Sequence, residues 1–264
     1  MFVDFHSHIH MYDKNELDDL IKYYKENCIF TFSNSLDIDS FEYSKKLFSE
    51  IENIYPTFGI HPWKSDITFD ESLLLKYLDD SLIVGEVGID NLWTDIDIRI
   101  QKKVFGKILG YCSHNNVIMT IHTKDAEETI ADMMEKMDYR LGVIHWYSGD
   151  EKIFKRFLDL DCYFTISPEI LVSKEYLKKY PIPINRLLIE TDNPGAFEWA
   201  TAKKSEYGDI IKVYEAVAKV FDIETENLKK QIINNMSKLM NRSTRGKELM
   251  NHFIDINNKC RCKS

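Results

Sequence analysis

The sequence has 264 residues, of which 44% are hydrophobic and 29% are charged, and its formal net charge is −9. This hydrophobic content excludes a disordered chain, and no run of about 20 apolar residues predicts a membrane span. The acidic charge is unfavourable for a protein that binds nucleic acid over a broad surface, although cations bound at an acidic site would offset it locally.

The termini and the cysteines indicate the compartment. The N-terminal segment has neither a basic start nor a long apolar run, so no signal peptide is predicted and we expect a cytoplasmic protein. Five cysteines are scattered along the chain, and an odd, scattered set argues against a disulfide framework. Cys260 and Cys262 have a weak metal-binding spacing, and we interpret them as part of a frayed terminus.

Short apolar segments alternate with amphipathic segments, which predicts parallel strands separated by helices. The eight predicted strands span residues 2–5, 29–32, 57–60, 83–87, 117–121, 142–144, 163–166 and 187–190. Between them, apolar residues recur at helical spacing, as in Leu17, Leu20 and Tyr24. A short seventh helix is predicted near residues 174–179, and a further helix over about residues 225–240.

This alternation predicts one α/β domain over residues 1–264, built as a (β/α)8 TIM barrel, because that fold needs about 250 residues. The barrel would cover about residues 1–222, and an extra C-terminal helical segment about residues 223–250, with a frayed tail after it. An open, doubly wound sheet is the main alternative, and the lack of a Gly-rich turn after the first strand weakens it.

Side chains that commonly bind metals follow the ends of most predicted strands, where active sites of such barrels lie. In chain order they are His6, His8, His61, Glu86, His122, His145 and Asp192. His6 and His8 are two residues apart, so both imidazoles point to the same side of an extended strand. A single histidine of this kind is most often a hydrogen-bonded core or loop residue. Five of them at one end of a barrel are costly to bury unless a metal ion coordinates them.

Mixed imidazole and carboxylate ligands suit Zn, Fe or Mn, and carboxylates also admit Mg. The motifs around these residues resemble the TatD family of metal-dependent deoxyribonucleases, which have amidohydrolase-like barrels. The matching segments are residues 3–8 (VDFHSH), 59–62 (GIHP), 85–90 (GEVGID), 121–122 (IH), 144–145 (IH) and 190–194 (ETDNP). Their order and spacing extend from residue 3 to about residue 240.

The resemblance implies two divalent metal ions, of Zn, Mg or Mn, and a water molecule that they activate to cleave DNA phosphodiester bonds. The implied ligands of the first ion are His6, His8, Glu86 and Asp192. The implied ligands of the second ion are Glu86, His122 and His145. Glu86 and Asp192 would be the catalytic residues, and Asp192 would orient or deprotonate the water. The implied substrate contacts are His61, Lys124 and Trp146.

Several positions near the predicted site differ from the family pattern. Lys124 replaces an arginine, and Lys lacks the bidentate fork with which Arg binds phosphate. The segments 91–93 (NLW), 146–149 (WYSG) and 197–204 (FEWATAKK) also differ. We expect DNA ends or single strands as the substrate. A metal-dependent amide or ester hydrolase is the alternative, and a non-catalytic protein with a remnant site is a third hypothesis, which the complete ligand set opposes.

All four tryptophans follow predicted strand ends, so they should surround the same barrel face as the metal ions. They are Trp63, Trp93, Trp146 and Trp199. They could stack unpaired bases beside a lysine, or they could pack loops onto the barrel. The altered loops would also suit a specialised member of the family that is encoded in a bacterial defence gene cluster and works with protein partners.

Overall fold

A computed structural model describes residues 1–66 and 70–261, and within them parallel strands alternate with helices. The strands are β1 (Phe2–Ser7), β2 (Ile29–Asn34), β3 (Ile54–Thr57), β4 (Ile83–Asp90), β5 (Ile118–Lys124), β6 (Gly142–Ile144), β7 (Tyr163–Ile166) and β8 (Leu187–Ile189). The α-helices are α1 (Lys14–Glu26), α2 (Ile38–Leu47), α3 (Glu71–Asp80), α4 (Ile98–Asn115), α5 (Glu127–Lys136), α6 (Glu151–Asp159), α7 (Tyr176–Lys179), α8 (Gly195–Thr201), α9 (Asp209–Val220), α10 (Thr225–Met240) and α11 (Thr244–Arg261). Short 3-10 helices span Ile9–Met11, Pro62–Lys64, Pro168–Leu171 and Ile184–Arg186.

The strands follow one another around the molecule in sequence order. One parallel sheet contains β1, β2 and β3, and a second contains β4 to β8. Two seams join the sheets. At the first, Phe58 forms a β-bridge with Val84. At the second, just past β8, the backbone N–H of Asp192 donates to the carbonyl of His6 at 2.9 Å. These contacts confirm the predicted α/β barrel.

The pattern of burial explains why these segments form strands and helices. Every residue of β2 and β4 is buried, as expected for parallel strands with side chains inside the barrel and helices outside it. Four helices, α2, α3, α4 and α6, begin at a capping aspartate, because Asp37, Asp70, Asp97 and Asp150 each accept a backbone N–H in the first turn. None of the described helices is both long and apolar enough to cross a membrane.

The third strand lies earlier than predicted. β3 spans Ile54–Thr57 rather than residues 57–60, because it pairs with β2 only over these four residues. The chain then leaves β2 and crosses to β4 at Phe58. His61 therefore follows a connecting segment rather than the strand itself, and it caps the 3-10 helix Pro62–Lys64.

The C-terminal region is also more helical than predicted. Two helices, α10 and α11, follow the barrel, and α11 continues through Arg261 where the sequence predicted a frayed tail beyond about residue 250. Leu249, Phe253 and Ile256 of α11 are buried. The ring of Phe253 packs against Phe30 at 5.2 Å, so the barrel holds this helix in place. Cys262 of the predicted cysteine pair lies outside the described residues.

Candidate metal centre

Glu86 of β4 is the carboxylate at the centre of the cluster of predicted ligands. Its Oε2 lies 3.3 Å from Nε2 of both His6 and His8. The imidazole nitrogens near Oε1 are His122 Nδ1 at 2.8 Å, His61 Nε2 at 3.4 Å and His145 Nε2 at 3.4 Å. The Oδ1 of Asp192 lies 3.3 Å from His8 Nε2 and 3.6 Å from His6 Nε2. The structure therefore brings together all seven residues that the sequence placed at strand ends.

Local irregularities in the backbone help to aim these side chains. The pairing of β1 with β2 shifts register between Asp4 and Ser7, and that of β4 with β5 shifts between Val84 and Val87. Such bulges redirect side chains and are frequent next to active sites. Asp192 has a left-handed backbone, with φ of 52°, and this conformation is tolerated by Asp better than by most residues.

Three of the imidazoles have one nitrogen bonded outside the cluster and the other directed towards it. The outer contacts are His8 Nδ1 with the Asn34 carbonyl at 2.8 Å, His122 Nε2 with Asp90 Oδ2 at 2.9 Å and His145 Nδ1 with Glu190 Oε2 at 3.1 Å. Histidines that bind metals are usually oriented in this way, because a carboxylate or carbonyl fixes the tautomer and the direction of the ring.

His61 also has one ring nitrogen bonded outside the cluster, but that nitrogen accepts a hydrogen bond from a backbone N–H. The backbone N–H of Trp63 donates to its Nδ1 at 3.2 Å. Burial lowers the pKa of His61 to about 4, so the neutral imidazole carries its proton on Nε2. Although this nitrogen lies close to Glu86 and His122 in a group that could hold a metal ion, its tautomer favours donation to an anion. The role predicted for His61, a substrate contact, is compatible with this tautomer.

The charge state of the cluster suits cations. Burial by itself raises the pKa of Glu86, but the surrounding imidazoles, with His61 contributing most, hold that pKa well below its usual range. Burial likewise raises the pKa of Asp192, and the hydrogen bond with His8 reverses that effect and lowers it. Burial lowers the pKa of His145 to about 4. Burial also opposes the charged forms of His8 and His122, but the adjoining carboxylates outweigh it and raise the pKa of His8 to about 10 and that of His122 to about 9. Ionised carboxylates thus lie beside both neutral and protonated imidazoles, and a cation bound here would replace the protons of His8 and His122.

The donor atoms fit divalent cations. His6 is fully buried, and neither of its ring nitrogens has a hydrogen-bond partner, a state that costs about 1–3 kcal/mol for a buried polar group. Within the described residues, three groups have donor atoms close enough to share an ion. They are His6, His8 and Glu86; His61, Glu86 and His122; and His6, His145 and Glu190. Coordination would satisfy the buried imidazole of His6 together with its neighbours.

The cluster lies at the bottom of a cleft of about 340 Å³. As the sequence predicted, all four tryptophans line this cleft, together with Lys124. Trp146 is only 5% exposed, whereas Trp63, Trp93 and Trp199 are 46%, 53% and 67% exposed. The Nζ of Lys124 lies 5.7 Å from the ring centroid of Trp146. The predicted substrate contacts therefore border the same space as the predicted metal ligands.

Three carboxylates support the cluster in roles that were not predicted from the sequence. They are Asp4, Asp90 and Glu190, which lie two or four residues from a predicted ligand along an extended segment. Because strand side chains alternate, this even spacing was the available signal. Asp4 accepts from the backbone N–H and the hydroxyl of Thr191, at 3.0 and 2.6 Å, and so connects β1 to the segment after β8.

Comparisons with known proteins show which family and which relatives the chain resembles. Residues 3–241 match the family of TatD-related DNases. The chain is 28% identical over 255 residues to an uncharacterized metal-dependent hydrolase of Methanocaldococcus jannaschii, with 91% of this chain and 97% of that protein covered. It is 29% identical over 212 residues to an uncharacterized metal-dependent hydrolase of Buchnera aphidicola, with 73% of this chain and 80% of that protein covered.

Solved structures have the same fold. A TatD homolog from Escherichia coli superposes with a TM-score of 0.78 at 18% identity, covering 90% of this chain and 97% of that one. An uncharacterized amidohydrolase from Saccharomyces cerevisiae superposes with a TM-score of 0.67 at 14% identity, covering 90% of this chain and 99% of that one.

Proposed function

This chain belongs to the TatD-related DNase family as a metal-dependent hydrolase, and we propose that it cleaves phosphodiester bonds of DNA at unpaired ends or in single strands. The observation that supports the proposal is the convergence of five imidazoles on Glu86, at 2.8 to 3.4 Å, below an open cleft. A set of donors this dense suits metal-assisted hydrolysis and needs no covalent intermediate.

We propose that two divalent cations, of Zn, Mg or Mn, bind in this cluster. The residues that would hold the first are His6, His8, Glu86 and Asp192. The residues that would hold the second are Glu86, His122 and His145. Such cations would supply Lewis acidity that acidifies a water molecule and offsets negative charge on the phosphoryl group.

The chain's own side chains would then bind and orient the substrate. The Asp192 side chain is 17% exposed towards the cleft, compared with 2% for Glu86, so Asp192 is the carboxylate placed to accept a proton from water. His61, with its proton on Nε2, would donate to a phosphate oxygen. Lys124, whose Nζ donates to Ser148 Oγ at 2.9 Å, would place a positive charge beside the phosphate.

The test is hydrolysis of end-labelled single- and double-stranded DNA with Mg, Mn or Zn. We expect the protein to degrade DNA and chelator to abolish this activity. Asp192→Ala and His145→Ala should lower the rate at least 10²-fold, because a positioned base alone contributes about 10²–10⁴-fold. His114→Ala, which changes an exposed histidine of α4, is the matched control. Equal activity in wild type and both site variants would contradict the proposal.

A second candidate function is hydrolysis of amides or esters. The cleft is walled largely by aromatic side chains and the chain carries a net charge of −9, which suits a neutral substrate better than a polyanion. A metal-loaded protein that leaves DNA intact but hydrolyses small esters or amides would favour this function. Association with partner proteins from a defence gene cluster stays a prediction, which purification of the native protein with its bound partners would test.

A further inference from the structure

We propose that Trp93 and Trp199 form a stacking subsite for one unpaired nucleobase next to the bond that is cleaved. The inference rests on the proposed function and adds how the substrate is held. Stacking of the base on the two rings would contribute more to binding than attraction between charges.

The rings of Trp93, Trp146 and Trp199 lie next to one another on one side of the cleft and form a continuous aromatic surface. The Trp199 ring centroid lies 6.3 Å from that of Trp93 and 5.5 Å from that of Trp146, and both pairs are close to perpendicular. In a perpendicular pair the edge of one ring meets the other, and a ring face remains available for a flat ligand. The surface borders the same cleft as Glu86 and Asp192.

The exposed fractions of the tryptophan rings distinguish a ring that binds a ligand from a ring that only packs a loop onto the barrel. Trp146 is 5% exposed and its Nε1 donates to Glu169 Oε2 at 2.9 Å, as expected for a ring that packs a loop onto the barrel. Trp93 and Trp199 are 53% and 67% exposed. A contiguous exposed apolar patch of this kind marks a binding site. A ligand that covers both rings accounts for their exposure, whereas loop packing does not.

The charge of the cleft indicates what the ligand is. Among the described residues, Lys124 is the only Lys or Arg that lines the cleft. One cation beside an aromatic surface matches a single phosphate that carries a flat ring. It does not match several successive phosphates of a duplex, which require a basic groove. An unpaired terminal nucleotide has the required chemistry.

The test measures binding and cleavage separately, on the full-length protein. Binding of ³²P-end-labelled oligothymidylate, and of the same oligonucleotide with abasic residues at both ends, is measured by filter retention in EDTA. We expect wild type to prefer the base-bearing oligonucleotide by about 5- to 150-fold, because stacking contributes about 1–3 kcal/mol per base. Trp93→Ala and Trp199→Ala should bring this ratio towards one, and Trp199→Phe should restore most of it.

Tyr43→Ala, which changes a 38% exposed aromatic residue of α2 outside the cleft, is the matched control. A base preference that is absent in wild type, or unchanged in both tryptophan variants, overturns the inference. Tryptophan variants that change only the oligomeric state would assign the rings to contact with a second copy, which also overturns it. Base-dependent binding without cleavage in Mg, Mn or Zn would refute the proposed function and leave the subsite standing. Cleavage without a preference for the base-bearing oligonucleotide would refute the subsite and leave the proposed function standing.

Discussion

Asp90 connects a predicted metal ligand with the aromatic wall of the cleft. Its Oδ2 accepts from His122 Nε2 at 2.9 Å and from Trp63 Nε1 at 2.7 Å. Its Oδ1 accepts from the backbone N–H groups of Leu92 and Trp93, at 2.8 and 2.7 Å. The inner Nδ1 of His122 lies 2.8 Å from Glu86 Oε1, and the carboxylates on both sides of the ring outweigh its burial and raise its pKa to about 9. A cation bound at Nδ1 would displace that proton, while Asp90 keeps the proton on Nε2. One carboxylate thus orients the imidazole of His122 and holds the loop that carries Trp93.

We therefore expect Asp90→Asn to weaken metal binding about 10- to 100-fold, the usual cost of losing a group that orients a ligand. If the amide oxygen keeps the two backbone bonds, its NH₂ group faces the N–H of Trp63, and two donors oppose each other. Calorimetric titration of the chelator-treated protein with Zn or Mn measures the affinity. Asp97→Asn, which retains a capping side chain at the start of α4, is the control. An affinity unchanged by Asp90→Asn would show that Asp90 does not orient His122.

The candidate ligands could be recognised from the sequence because each lies at or near the carboxyl end of a predicted strand, and in a parallel barrel those ends meet. The sequence alone assigned no role to Asp4, whose hydrogen-bond partner Thr191 is 187 residues away. It also could not assign the tautomer of His61, which depends on the turn that brings the N–H of Trp63 to Nδ1. The identity of each candidate ligand and its position along a strand can be read from the sequence. The hydrogen bonds that orient the ligands from outside the cluster depend on packing between distant segments.

At the scale of elements, the seam between β3 and β4 is one of the two places where the sheets meet, and Glu86 lies beside it. Gly59 lies against it, and a Cβ there would come within 2.2 Å of the Glu86 carbonyl oxygen and 2.5 Å of the Glu86 nitrogen. The backbone can pass this point only without a side chain. The seam is therefore packed too closely for even one methyl group.

Gly59→Ala should lower the free energy of unfolding by about 1–3 kcal/mol, the usual cost of overpacking, and should also weaken metal binding because Glu86 is displaced. Urea denaturation measures the first effect and metal titration the second. Gly110→Ala is the control, because it adds the same methyl group at a position with open space. A Cβ at Gly110, in the interior of α4, meets no atom of the described residues within 4 Å, so this change should stabilise by about 0.5–1 kcal/mol. Equal stability of the two variants would contradict the close packing of the seam.

The order of elements was predictable from the sequence, but their ends were less so. The position of β3 differs because Phe58 and the residues after it have apolar character typical of a strand, yet they cross between sheets instead of pairing along β2. α11 was underestimated because exposed polar residues interrupt its apolar ones: Leu249, Met250, Phe253 and Ile256 are buried, whereas Asn251, His252 and Asp255 are exposed. Their burial depends on the barrel surface that receives them, which local periodicity does not reveal.

At the scale of the molecule, the acidic surface and the site have different electrostatic demands. The chain carries a net charge of −9, so a polyanion is repelled at a distance, and salt screens that repulsion. Within the cluster, the carboxylates would be neutralised by the cations they bind. Such cations would place positive charge at the bottom of one cleft, with Lys124 beside it. Such a protein would engage a DNA end at one point and would not slide along a duplex.

This arrangement predicts a shallow dependence of DNA cleavage on salt. One phosphate contact through Lys124 gives a slope of about −0.7 in the logarithm of affinity against the logarithm of salt concentration for a single strand. Between about 50 and 200 mM KCl, at fixed metal concentration, the KM for a single-stranded oligonucleotide should therefore rise by no more than about threefold. Lys124→Ala should raise KM at low salt and flatten the dependence further. A rise in KM of more than about tenfold would require several charged contacts with phosphates, and the described residues that line the cleft include no Lys or Arg besides Lys124 to supply them.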